Sequence, residues 1–317
     1  MSYSIHRMLY EALEPVHIGA GGYRLGRVDK TICREPGTNL PKIPGTSLSG
    51  AAKSYAALLY GDPELAGNAP APKRKCPISY TFGYATDAGG GSAGTVSVGD
   101  AYILLFPVHS IKGRVWVTTK SALEQWAPGA GPIPDLDDQQ IAVRAGFAPS
   151  TGLNLGWLWF GNRTLSWSFR DWLASLPASH RPVPAVVSSK ADSVILVPSL
   201  LFGPIVNSNL EVRTSVAIDP KTGTTAKSML FSYEAIPRET VLFQEAVEDD
   251  YHDKDDKPWQ DLHVAKELLN HNLQWKRPIE VLKSGLDLMG TLGVGGMGTR
   301  GFGRLKMYPP ESPESPQ

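Results

Sequence analysis

The spacing of apolar positions changes several times along the chain, and each change marks an element. Residues 8–18 are extended and apolar and predict a strand, followed by a glycine-rich turn over 19–26. Residues 27–33 predict a short second strand. From Leu48 the period lengthens. Leu48, Ala51, Ala52, Tyr55, Ala56 and Leu59 make the apolar stripe of a helix, with Thr46 or Ser47 as its cap and Gly61 as its stop. Residues 96–108 and 114–119 predict a hairpin around 110–113. Residues 211–218 and 224–233 predict another, turned by the Asp-Pro-Lys-Thr-Gly run at 219–223. A strand over 240–247, a helical pattern over 258–288 broken at Pro278, and a last strand over 303–307 complete the series.

The order strand, helix, two strands, helix, strand is that of an α+β, ferredoxin-like (RRM-like) fold with long insertions. We read the chain as one domain over 1–317. Its core comes from 1–60, 96–126 and 232–307, with insertions at 61–95 and 127–190. The second insertion holds four tryptophans and many prolines without a clean period, and reads as irregular. The Pro/Ser/Glu-rich tail, 308–317, reads as disordered.

Composition narrows the options. A hydrophobic content of 42% over 317 residues is enough for a core. The net charge of zero argues against a free, nonspecific nucleic-acid binder. The distribution is uneven, however. Residues 1–60 hold seven Lys/Arg against four acids, 273–307 hold six against two, and 241–262 hold eight acids against two lysines. The acidic run lacks the spacing of a calcium loop and reads as a solvated segment or a contact for a basic neighbour. Two cysteines, Cys33 and Cys76, allow neither a disulfide framework nor a zinc site. With no long apolar run, the expected location is cytoplasmic, with no membrane partner.

The densest chemistry lies near the C-terminus. Seven glycines fall between Gly290 and Gly303, with Arg300 and Arg304 at the exit. Such a run suits close backbone approach and phosphate oxygens. It follows a helix and precedes a strand, the reverse of mononucleotide and dinucleotide loops, and no Gly-Lys-Ser/Thr ends it.

Several segments, taken in order, resemble the backbone RAMP subunits of type III CRISPR effector complexes, above all those of the Cmr (type III-B) class. They are the Leu-Glu-Pro-Val-His-Ile-Gly-Ala-Gly-Gly run at 13–22, the Gly-Arg-Val-Asp run at 26–29 leading into Pro-Gly-Thr-Ser-Leu-Ser-Gly at 44–50, the stretch 100–113, residues 233–240, and the terminal glycine loop. The resemblance implies a subunit that stacks with copies of itself along a guide CRISPR RNA, beside other effector subunits. It also implies a β-hairpin thumb, about 191–231, that reaches over the guide, and cleavage of complementary target RNA at regular intervals with a divalent metal, Mg²⁺ or Mn²⁺. Asp29 maps to the residue linked to cleavage and to metal. Some backbone relatives hold the guide and cut nothing, so a non-catalytic scaffold is the alternative. A stand-alone guide-processing endonuclease is disfavoured by the filament-type segments.

The remaining candidates follow from position or, for the first-helix contacts, from the resemblance. His17 reads as structural or as an acid/base group. Glu239, or Glu234 in its place, reads as a second carboxylate or a solvated strand end. Expected RNA contacts are Ser47, Ser49 and Lys53 on the first helix, and Gly293, Gly295, Gly296, Gly298, Arg300 and Arg304 in the glycine loop. Ser49 stands where the family often carries lysine. Met229, with Leu230 and Phe231, reads as a wedge between bases or as core.

Overall fold

The second half of β1 (Ser4–Ala12) is buried on both faces: Met8, Tyr10 and Ala12 enter one core and Leu9 the other. The computed structural model describes residues 3–21, 28–67, 76–85, 90–149, 151–161, 163–181, 183–218, 225–251, 257–259 and 275–308. The turn at 22–27, the hairpin turn at 219–224, the stretch 260–274 and the tail from 309 lie outside the described residues. The strand expected over 8–18 stops at Ala12. Past Pro15 only isolated bridges persist, Val16 with Ile236 and His17 with Gly296.

After β2 (Lys42–Ile43) comes α1 (Gly45–Tyr60), with Leu48, Ala52, Ala56 and Leu59 buried. Neither Thr46 nor Ser47 caps it. Pro44 precedes the first turn, and the Gly45 N–H donates to Asp100 Oδ1 at 2.8 Å. Gly61 ends it at φ 87°, as its left-handed preference predicts. The first insertion holds α2 (Pro77–Phe82) and the paired strands β3 (Tyr84–Ala85) and β4 (Gly91–Ser92). β5 (Val96–Val98) is separate from β6 (Ala101–Ser110), which forms the expected hairpin with β7 (Gly113–Thr118) and leads to α3 (Lys120–Trp126).

The tryptophan-rich insertion is more regular than its sequence suggests. It carries β8 (Ile141–Val143), β9 (Leu153–Leu155), β10 (Leu158–Phe160), β11 (Thr164–Ser166), α4 (Phe169–Ala174) and α5 (Ala185–Ser188). Then follow β12 (Val194–Leu196), α6 (Ser199–Ser208), β13 (Glu211–Ile218), β14 (Thr225–Ala235), β15 (Val241–Glu248), α7 (Pro278–Leu292) and β16 (Leu305–Tyr308). Pro278 opens α7, where a missing N–H costs nothing, instead of breaking a helix.

One mixed sheet organises the α+β chain, in the order β11-β8-β12-β7-β6-β15-β1-β16, with β2 beside β6 and β5 beside β15. The middle run β6-β15-β1-β16 is antiparallel throughout. β15 lies between β6 and β1, so the 96–119 hairpin does not supply both middle strands. Its return strand β7 turns outward, pairs in parallel with β12, and carries the sheet into the insertion. On one face Leu48, Ala52, Leu282, Leu286 and Met289 of α1 and α7 pack on Met8 and Tyr10. On the other, Trp126, Phe169, Trp172 and Val187 cover Leu9, Leu104 and Phe243. The helices on the first face cross closely: a Cβ on Gly285 would fall 2.1 Å from the Ala52 carbonyl oxygen. The stretch expected to open the thumb at 191 is also core. Ile195, Phe202, Ile205 and Val206 are buried, and the hairpin β13–β14, outside the main sheet, begins only at Glu211.

Candidate functional site

The site begins with the glycine loop between α7 and β16. Its glycines are explained first by the loop's own packing. Val294 donates to the Gly303 carbonyl at 2.9 Å, Gly303 to Pro15 at 2.8 Å, and Gly296 to His17 at 2.9 Å. Gly295 holds φ 84°, and a Cβ there would fall 2.5 Å from the His17 carbonyl oxygen. Gly303, at φ 93°, presses equally hard on Val294. Gly298 differs: nothing stands within 4 Å of its missing Cβ. The loop is therefore a fixed shelf against the segment after β1, with Gly298 on its open side.

Facing the shelf is the first half of α1. Between them runs a cleft of about 420 Å³, lined by Thr46, Ser47, Gly50 and Ser54 on one wall and Gly293, Gly295, Gly298 and Phe302 on the other. The Tyr55 hydroxyl donates to the Gly293 carbonyl at 2.6 Å and ties the two walls. Among the described residues the cleft walls carry hydroxyls and backbone and no charged side chain. Lys53 is not part of it; its Nζ donates to the Gly83 carbonyl at 3.3 Å, and burial pulls its pKa down. Ser49 does not line it either. Arg304 is held elsewhere, donating through Nε to the Gly290 carbonyl at the end of α7.

The cations come from the hairpin side. In the β13–β14 register Arg213 opposes Tyr233 and Ser215 opposes Phe231. Arg213 lies over the Phe302 ring at 4.5 Å, and Tyr233 meets that ring edge-on at 5.3 Å. Arg300 lies over Phe231 at 5.2 Å and donates to Ser215 Oγ at 3.0 Å. Lys30 caps the same ring at 4.5 Å. Three exposed cations thus sit on two aromatic rings, Phe302 and Phe231, an arrangement that suits a phosphate backbone. Met229 is in β14, but its side chain is outside the described residues.

Beside Lys30 is Asp29. The strand expected over 27–33 is not continuous in the described residues from 28 onward. Lys30, Ile32 and Arg34 make single bridges, Lys30 with Tyr233 of β14. Asp29 is exposed, and its Oδ2 accepts from the Ser232 N–H at 2.6 Å and the Ser232 hydroxyl at 2.9 Å. Those bonds, the backbone one first, hold its carboxyl below the ordinary range. Glu234, two residues on from Ser232, is buried. Its Oε1 accepts from Ile32 N–H at 2.9 Å and from Arg34 at 2.6 Å, so it anchors the segment.

The other candidates are placed differently from their expected roles. His17 is buried, with Nδ1 2.7 Å from the Glu234 carbonyl and its ring between Tyr233 and Gly296. It supports the shelf. Glu239 belongs to the turn before β15. It holds φ 69°, pairs with Arg114 at 2.6 Å, and its backbone bonds Ala12 and Trp116. It is not brought to Asp29. Among the described residues no group of three or more His, Cys, Asp or Glu stands together. A single exposed carboxylate fits a Mg²⁺-type ion that keeps water and phosphate oxygens as its other ligands, and does not fit an all-protein cage. Sequence reasoning missed Arg213, Ser232, Tyr233 and Phe302. The alternation of Phe231 and Tyr233 was visible, but their partners lie in other elements.

A model of the RAMP superfamily matches residues 9–306. The chain belongs to the RAMP superfamily. One relative, CRISPR system Cmr endoribonuclease Cmr4 from Pyrococcus furiosus, is 28% identical over 251 residues, 73% of this chain and 77% of the relative. Two solved structures share the fold. Oligomeric Cmr4 from Pyrococcus furiosus superposes with a TM-score of 0.61 at 20% identity, covering 96% of this chain and 98% of the other. The type III-B Cmr-beta complex bound to cognate target RNA contains a chain with a TM-score of 0.60 at 15% identity, covering 96% of each. Among the described residues no helix is long and apolar enough to cross a membrane.

Proposed function

We propose that this RAMP chain is a guide-RNA-binding backbone subunit of a type III CRISPR effector filament that cleaves complementary target RNA at regular intervals. The observation that carries the reading is one connected set of contacts. Phe302 lines the α1–glycine-loop cleft and lies under Arg213 and against Tyr233, Arg300 and Lys30 share Phe231, and Asp29 adjoins Lys30. A guide backbone in the cleft would meet hydroxyls and the open side of Gly298. Its continuation would meet cations over aromatic faces, and a paired strand would come to the carboxylate. The names of the relatives support the same reading: an endoribonuclease, an oligomer, and a complex with target RNA.

In this reading β1, β6, β15 and β16 with α1 and α7 form a ferredoxin-like palm, and β13–β14 is the thumb over the guide. Copies of the chain stack along the RNA beside other effector subunits. Asp29, ionised at neutral pH and fixed by Ser232, orients the ribose 2′-OH or holds a divalent cation, Mg²⁺ or Mn²⁺, at the scissile phosphate. The cation, when bound, supplies charge neutralisation there. Selectivity for RNA follows from the 2′-OH, which DNA lacks.

A non-catalytic scaffold is the second reading, and one observation favours it: the Asp29 carboxylate already serves as a cap for the Ser232 N–H. Cleavage of guide-complementary RNA by the reconstituted complex separates the two. Asp29→Ala and Asp29→Asn are expected to abolish cutting while target binding persists. Asn retains an acceptor for Ser232, so its inactivity isolates the charge. Cutting by both variants at the wild-type spacing would sink the Asp29 assignment, and absence of cutting by the wild-type complex would favour the scaffold.

A further inference from the structure

We propose that Ser232 is the positioning residue for Asp29, an inference that rests on the cleavage reading above. Residue 29 has little local structure to hold it, because residues 28–34 make only single bridges. The orientation of its carboxylate comes from across the fold. The Ser232 hydroxyl donates to Oδ2 at 2.9 Å and accepts from the Asp29 N–H at 3.2 Å. The Ser232 N–H donates to the same Oδ2 at 2.6 Å, and its carbonyl accepts from Lys30 N–H at 3.0 Å. One serine thus engages backbone and side chain of Asp29 at once, which fixes the side-chain rotamer. Both bonds to the carboxylate end on Oδ2. Oδ1 takes no bond from any other residue among the described ones, so it is the oxygen offered to RNA. Misplacing a reacting group by about an ångström is enough to cost orders of magnitude in rate.

Ser232 also lies in β14, opposite Thr214. The adjacent pair, Ser215 and Phe231, holds Arg300 of the glycine loop. The same two strands therefore link the loop that would carry the guide to the carboxylate that would cut the target. A cap that merely stabilised this corner would need the backbone bonds but not the hydroxyl.

The test compares Ser232→Ala, Ser232→Val and Ser232→Thr in the reconstituted guide-loaded complex, with Asp29→Asn alongside. Thr and Val share a shape, and only Thr keeps the hydroxyl. Single-turnover cleavage is expected to fall at least about tenfold in Ala and Val and to recover in Thr. Target affinity and melting temperature should be the same in Val and Thr. Wild-type cutting by Val, or equal loss in Val and Thr, would overturn the role of the hydroxyl. If Asp29→Asn is inactive in that same experiment, only the positioning inference falls. If Asp29→Asn cuts normally, the cleavage reading falls and the inference with it.

Discussion

At the scale of single residues, glycines that look alike in sequence do different work. Gly295 needs its positive φ and its missing Cβ because the His17 carbonyl stands where a methyl would go. Gly298 needs neither for folding. Gly295→Ala is expected to lower stability by about 1–3 kcal/mol from backbone strain alone, with the overlap adding to it. Gly298→Ala should melt like the wild type and weaken guide binding, since its methyl would protrude into the cleft. Melting curves and guide titrations on both variants check this, and equal melting temperatures would mean that the shelf is not fixed by Gly295. The sequence marked both positions as candidates for phosphate approach. It did not show that most of the run is spent on packing, because the segment it packs on lies nearly 280 residues earlier.

Elements meet through charges that sequence patterns do not reveal. Glu248 at the end of β15 is buried and sits at the start of α7, where helix N–H groups lack partners. Burial works to raise its pKa, but the hydrogen bonds from His6 and Arg277, the guanidinium charge and the Ile279 N–H outweigh it, and the carboxyl is held below its ordinary value. A depressed folded pKa means that its contribution to stability is complete above the unfolded value, about 4.3, and is lost as pH falls through the folded one. Glu248→Gln should therefore lower the melting temperature at neutral pH and flatten its decline toward acid. An unchanged acid slope would assign that decline to other carboxylates. The same scale separates what was legible from what was not. α1, the β6–β7 and β13–β14 hairpins and β15 each carry enough periodic residues to declare themselves. β8, β11 and β12 are three residues long, and only the sheet edge they join makes them strands. Clean alternation was missing because the central sheet is covered on both faces, and the tryptophan-rich insertion is the second cover.

For the whole molecule, the formal charge of zero means that any RNA affinity must come from where the charges lie. The acids of 241–251 fall on β15 and just beyond it, and α1 brings no free cation to the cleft. What remains on the proposed path is Arg300, Lys30 and Arg213, the last also paired with Glu211 at 2.6 Å, gathered from the glycine loop, from the segment before β2 and from β13. Their sequence positions span most of the chain, so no local motif announces them, and only the seating of β13–β14 against both other segments makes them one patch. Arg300 was legible because it stands among glycines. Arg304 looked equivalent, yet its guanidinium is bonded to the Gly290 carbonyl. Counterion release turns this difference into a measurement, since removing a cation from one phosphate lowers the slope of log K against log salt by about one unit. Guide binding by Arg213→Ala and by Arg300→Ala is expected to show that reduction, and binding by Arg304→Ala is expected to keep the wild-type slope. A reduced slope in Arg304→Ala, with wild-type slopes in the other two, would move the guide off the hairpin face and onto the exit of the loop.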